Sequence, residues 1–178
     1  MRLASLGAAV AVFATCNACA QSYPVKPVQW IVPFIGGTAD YTARLLGQKM
    51  TERWKHQVVI DNRVGASGII GTELGARAAP DGYTLILGNT TTLTVNPALF
   101  AKLPYDPFKS FVPVTPFANT VAMLVVHPSV PVQSVKELLA LAKAKPGAIN
   151  AASSGNGESP HMALELFKSL AGVNILHI

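Results

Sequence analysis

Between residues 28 and 87, short apolar runs alternate with amphipathic stretches, and only a few residues connect one to the next. Residues 28–34 (VQWIVPF) form an apolar run that leads into Gly36-Gly37 and reads as a buried strand. Over 40–56, Ala43, Leu46, Met50 and Trp54 recur at spacings of three and four, so one helical face is apolar, while Arg44, Glu52 and Arg53 occupy the others. Residues 58–60 read as a second strand, and Gly65-Ala66-Ser67-Gly68 as a flexible turn. Residues 69–79 read as a second helix stopped by Pro80-Asp81-Gly82, and 84–87 (TLIL) as a third strand. Strand, helix, strand, helix, strand with short links specifies an α/β unit with a parallel sheet, because a parallel neighbour is reached only by a crossover.

The pattern then loosens and restarts. Residues 88–92 read as a polar, Thr-rich loop, 103–116 as Pro-rich and irregular, and 123–126 as another apolar strand. Ser134-Val135-Lys136-Glu137 fits a capping box opening a helix whose apolar face is Leu138, Leu139, Leu141 and Ala142, with Pro146-Gly147 as its stop. A short strand at 149–152 and a Ser/Gly loop at 153–157 come next. A helix over 159–171 carries Met162, Leu166, Phe167 and Leu170 on one side, and a further strand opens at 174–178. This second unit reads as an interrupted domain, and the expected consequences are a first unit short of sheet neighbours, with exposed strand edges and an uncovered apolar face, and a chain that is marginally stable and binds poorly. Half of the 178 residues are apolar, which excludes a disordered chain. No internal run approaches the roughly 20 apolar residues of a spanning helix.

The N-terminus, MRLASLGAAVAVFATCNACAQSYP, has a basic start at Arg2, a short Ala-rich apolar core and Ala18-Cys19-Ala20 before Gln21. These are the parts of an export signal, expected over 1–20. Cys16 and Cys19 both fall inside it, so a mature chain would hold neither disulfide nor thiol nucleophile. Removing Arg2 takes the formal charge from +5 to +4. The lysines and arginines near 49–55 and 136–145 read as solvated helix faces. No basic stripe interleaves with aromatics, so nucleic acid is not an expected partner.

Three loops follow strand ends: 35–39, 88–92 and 153–157. Ligands of open α/β sheets bind beyond the carboxyl ends of strands. Two of these loops run into helix N-termini, where unpaired N–H groups and the positive helix end favour an anion. Glycine admits close approach of the backbone, and Ser and Thr add hydroxyls, so an anion cleft is expected. Catalytic patterns are thin. Gly65-Ala66-Ser67-Gly68 is not G-x-S-x-G, and Gly36-Gly37 is neither a P-loop nor a dinucleotide fingerprint, so no cofactor is expected. His56, His127, His161 and His177 show no metal-ligand spacing, and His161 is expected to pack or cap. Asp40 is expected to cap a helix and complement its dipole.

Several motifs together carry a family resemblance over 23–178. They are Val32-Pro33-Phe34 with Gly36-Gly37 and Asp40, Asp61-Asn62-Arg63 with Gly65 and Gly68, and Ala79-Pro80-Asp81-Gly82-Tyr83-Thr84. Further on come Asn96-Pro97, Leu103-Pro104-Tyr105-Asp106-Pro107, Val126-His127-Pro128, and Ser153-Ser154-Gly155-Asn156-Gly157 leading to His161. The chain resembles the periplasmic substrate-binding receptors of tripartite tricarboxylate transporters, the Bug-type receptors. The resemblance implies a type II periplasmic-binding-protein-like fold: a first lobe, with a parallel sheet and flanking helices, over 21–121, and an incomplete second lobe over 122–178. It implies a non-enzymatic receptor in the periplasm that closes around a small carboxylate and delivers it to the membrane components of the transporter. The ligand contacts it implies are Gly36, Gly37, Thr38, Ala39 and Asp40 in the first loop; Asn89, Thr90 and Thr91 in the next; and Ser154, Asn156, Gly157, Glu158 and Ser159 in the second lobe. Glu158 stands where a small or hydroxyl residue is usual. Beside an anion, its carboxylate turns away, is protonated or pairs with a ligand amine. A non-functional remnant of such a receptor is the alternative, ahead of a serine hydrolase using Ser67 or Ser154.

Overall fold

In the computed structural model, residues 23–178 are described. The expected export signal and both cysteines lie outside the described residues. β1 (Val28–Val32), α1 (Gly37–Trp54), β2 (Val58–Asn62), α2 (Ile69–Ala76) and β3 (Thr84–Ile86) follow in the expected order. The three strands form a parallel sheet in the order β2-β1-β3. β1 pairs with β2 from Val28↔Val58 to Val32↔Asn62, and with β3 through Trp30↔Leu85. Central β1 is the most buried strand. Val28, Trp30 and Val32 on one face meet Ala43 and Val58, with Leu46, Met50 and Trp54 packed around them. The helical face read from three-four spacing is therefore the face that packs.

Thr51 ties α1 to β2, since its hydroxyl donates to the Gly47 carbonyl at 2.9 Å and accepts from the Val58 N–H at 2.9 Å. At the opposite end of the sheet from the β1–α1 loop, Tyr23 donates to the Gly82 carbonyl, and Lys26 pairs with Asp81 at 3.2 Å while lying over the Tyr83 ring.

Two segments differ from expectation. Residues 88–92 are not a plain loop: a π-helical turn, Thr91–Val95, runs into α3 (Asn96–Leu99). Residues 123–126 form no strand. Met123 is 82% exposed, and no strand among the described residues lies beside it to exchange backbone hydrogen bonds.

The second unit holds α4 (Val135–Ala144), β4 (Asn150–Ala151), α5 (Ser159–Ala171) and β5 (Leu176–His177), with β4 and β5 parallel. The Ser134 hydroxyl accepts from the Glu137 N–H at 3.2 Å, and the Glu137 carboxylate reaches back to the Gln133 N–H at 2.7 Å, one residue beyond the usual box. Leu138 and Ala142 are buried, whereas Leu166 and Leu170 on α5 are exposed.

Gly71 sets how closely α2 approaches the sheet. A Cβ there would stand 3.1 Å from the Pro33 Cα and closer still to the Arg63 carbonyl, both backbone atoms that cannot swing aside. Gly71→Ala is expected to destabilise the chain by about 2 kcal/mol, overpacking of roughly 1–3 kcal/mol outweighing the helix-propensity gain. Gly75→Ala, which meets only the Ile86 side chain at 3.1 Å or more, is expected to be near neutral. Urea denaturation followed by tryptophan fluorescence checks both.

Candidate functional site

The first loop is shaped by one buried carboxylate. After β1 the chain turns through Gly36 (φ 68°) and Gly37 (φ 65°), left-handed values that favour glycine, and enters α1. Asp40 is 7% exposed. One of its oxygens accepts the Gly36 N–H at 3.1 Å; the other accepts Asn62 Nδ2 at 2.9 Å and pairs with Arg44 Nε at 3.1 Å. The same Asn62 amide donates to the Phe34 carbonyl at 2.7 Å. Asn62 therefore clamps both ends of the loop. Asp40 is a brace between the loop, β2 and α1. The N–H groups of Gly37, Thr38 and Ala39 are left without helical acceptors because they open α1. Gly36, Gly37 and Thr38 are exposed, and open space surrounds both glycines.

The Asn62 hydrogen bond, with Arg44 and the Gly36 N–H, holds the Asp40 carboxyl below the usual carboxylate range, against burial pushing the other way.

The 88–92 region serves structure more than ligand. Asn89 caps the helical segment: its side-chain oxygen accepts the Thr92 N–H at 3.0 Å, and its own N–H donates to the Thr92 hydroxyl at 3.1 Å. Thr91 is buried, while Thr90 is exposed. Asn96, also buried, donates through Nδ2 to the Ser67 carbonyl at 3.0 Å. That bond reaches a strained turn, for Ala66 (φ 47°) and Ser67 (φ 53°) are consecutive non-glycine residues in the left-handed region. Such conformations cost of order 1–3 kcal/mol each and cluster where a backbone must present itself in a set way.

In the second unit, Ser154, Asn156 and Ser159 are exposed and Gly157 is buried. The Gly157 N–H is not free: it donates to His161 Nδ1 at 2.9 Å. Glu158 lies over its own loop, with Oε1 3.4 Å from where a Gly155 Cβ would be. A cavity of about 320 Å³ lies between Asn156, Gly157, His161 and Met162 on one side and Ser67, Asn96, Leu99 and Phe100 on the other. The structure thus brings the second-unit loop to the strained turn and α3, not to the Gly36–Asp40 loop. Spacing had pointed to none of Ser67, Asn96, Leu99, Phe100 and Met162 as lining. A wider hollow of about 620 Å³ around Pro97, Tyr105 and Phe108 holds none of the expected contacts. Among the described residues, no three His, Cys, Asp or Glu side chains gather to hold a metal, and neither the Ser67 nor the Ser154 hydroxyl meets a histidine.

Asn62 offers a direct test of the first loop. Asn62→Ala strands Asp40 and the Phe34 carbonyl, and is expected to cost about 1–3 kcal/mol at neutral pH. Because the folded Asp40 titrates below its unfolded value, its stabilisation is complete above about pH 4 and is lost as pH falls through the folded value. The cost of Asn62→Ala should therefore be smaller in acid than at neutral pH, read from urea midpoints at the two.

Residues 42–178 match the family described as tripartite tricarboxylate transporter family receptor. The chain is 37% identical over 158 residues to Protein BugT of Bordetella pertussis, covering 88% of this chain and 48% of that protein. Among solved structures, it matches R. palustris Rpa4515 with adipate at a TM-score of 0.82 and 36% identity, over 88% of this chain and 52% of the other. It matches MatC from Rhodopseudomonas palustris with bound malate at a TM-score of 0.70 and 31% identity, over 88% and 52%. The chain spans about half the length of the curated relatives it matches. Its parallel β2-β1-β3 sheet with flanking helices is part of the fold of these periplasmic binding proteins, and the chain belongs to the tripartite tricarboxylate transporter family of receptors.

Proposed function

We propose that the protein is an exported, non-catalytic receptor that captures a small carboxylate and hands it to the membrane components of a tripartite transporter. The observation that carries this reading is the row of N–H groups at Gly37, Thr38 and Ala39, which open α1 without helical acceptors beside the exposed Gly37 and Thr38 and are held in place by Asp40 and Asn62. Such a row favours a carboxylate through its unpaired donors and the positive end of the helix. Thr38 adds a hydroxyl, and Thr90, Ser154, Asn156 and Ser159 are exposed polar groups on the other two loops that follow strand ends. Relatives crystallised with adipate and with malate support the ligand class. Leu99 and Phe100, with Met162 opposite them, give the wall of the 320 Å³ cavity a large apolar part. That wall suits an acid with an aliphatic body better than one bearing hydroxyl groups, whose desolvation it would not repay. Capture works by population shift: a ligand touching both units favours the arrangement in which they close on it. The family's own scaffold, with no serine–histidine pair at Ser67 or Ser154, supports a binder over a hydrolase.

Calorimetry on the full chain tests the reading. Adipate is expected to bind, and its uncharged diamide to bind at least about tenfold more weakly, as the loss of roughly one charged hydrogen bond predicts. Adipate is expected to be recovered unchanged. Equal affinity for acid and diamide, or turnover of the acid, would sink the proposal.

A further inference from the structure

We propose that His161 gates the 153–157 loop through its protonation state, holding Gly157 when neutral and releasing it when charged. A backbone N–H can only donate. The 2.9 Å contact from Gly157 therefore makes His161 Nδ1 an acceptor, and the neutral ring carries its proton on Nε2. A second proton has one place to go, Nδ1. Once there, two N–H donors face each other and the Gly157 bond is lost.

The surroundings sharpen the response. The His177 ring, on β5, stacks on the His161 ring with centroids 4.0 Å apart and planes 23° apart, so two charged rings would repel at close range. His177 is itself held, its Nε2 lying 2.7 Å from the Ser153 hydroxyl, a contact that either protonation state can keep. On α5, Glu165 stands 3.7 Å from His161 Nε2, and Lys168 at 2.7 Å engages the same carboxylate. From across the cavity, Ser67, Asn96, Leu99 and Phe100 bring no charge. Asn156 and Gly157 form part of the cavity wall, and a Gly157 Cβ would stand 3.5 Å from Leu99 Cδ1. Release of Gly157 therefore reshapes the wall facing α3. The gate bears on carboxylate capture only if the receptor reading holds, so its test uses the ligand-free chain.

Amide hydrogen exchange at Gly157, read by NMR as a protection factor, is the measurement. Between about pH 7.5 and about pH 5.5, protection is expected to fall about tenfold, the weight of one hydrogen bond. His161→Asn keeps an acceptor near the Nδ1 position but takes up no proton, and its protection is expected to stay within about twofold over the same range. His177→Gln, which removes the stacked ring and leaves the Gly157 contact, is expected to retain the fall. Nitrogen shifts of the His161 ring give a check that needs no variant, with the neutral ring expected to carry its proton on Nε2. A flat wild-type profile, an undiminished fall in His161→Asn, or a neutral ring protonated on Nδ1 would each overturn the gate.

Discussion

Parallel strands cannot be joined by a tight turn, so each strand of the first sheet must leave at one end and return through a helix. With β1 between β2 and β3, the exits after Val32, Asn62 and Ile86 all fall at the same edge of the sheet. The pairing of Val32 with Asn62 is what brings an amide on β2 within 2.7 Å of the Phe34 carbonyl beyond β1. Sheet register thus brings residues 28 apart in the chain together at the β1–α1 loop, and the Asn62 and Asp40 side chains fasten them there.

A carboxylate beside an anion site looks self-defeating, and its orientation removes the conflict. Asp40 points inward, where Asn62, Arg44 and the Gly36 N–H satisfy it. The next three N–H groups open α1 without helical acceptors. The same turn of helix thus carries a buried negative charge that fixes its shape and a row of donors with no partner in the helix. Neutralisation by Arg44 keeps the first from opposing the second.

The second unit solves the same problem with an imidazole. His161 holds Gly157 by a single acceptor atom, as Asp40 holds Gly36. Between the two lies the turn at Ala66 and Ser67, kept left-handed in part by Asn96 donating to the Ser67 carbonyl. Gly68 lets that turn sit against its neighbours, since a Cβ there would stand 2.8 Å from Thr92 Cγ2. Strain, small residues and a buried amide coincide where the two units face each other across the cavity.

Local periodicity determined much of this molecule. The apolar spacing of Ala43, Leu46, Met50 and Trp54, the run from Val28 to Phe34, and Ser134 with Glu137 were legible because each depends on residues within one or two helical turns. The helical segment over 91–99 was not legible. Thr and Val are poor helix formers, and burial of Thr91, Thr92, Val95 and Asn96 against the 65–68 turn and Tyr105 outweighs that preference. The apolar run at 123–126 was misread because β-propensity describes a surface that fits a sheet, while a strand exists only beside another. Glycine and hydroxyl residues at loop tips marked where a carboxylate could bind. Which N–H groups are free to bind it, and that Asp40 and His161 consume two of them, depends on atoms brought together from distant or opposed positions, and only the tertiary structure decides it.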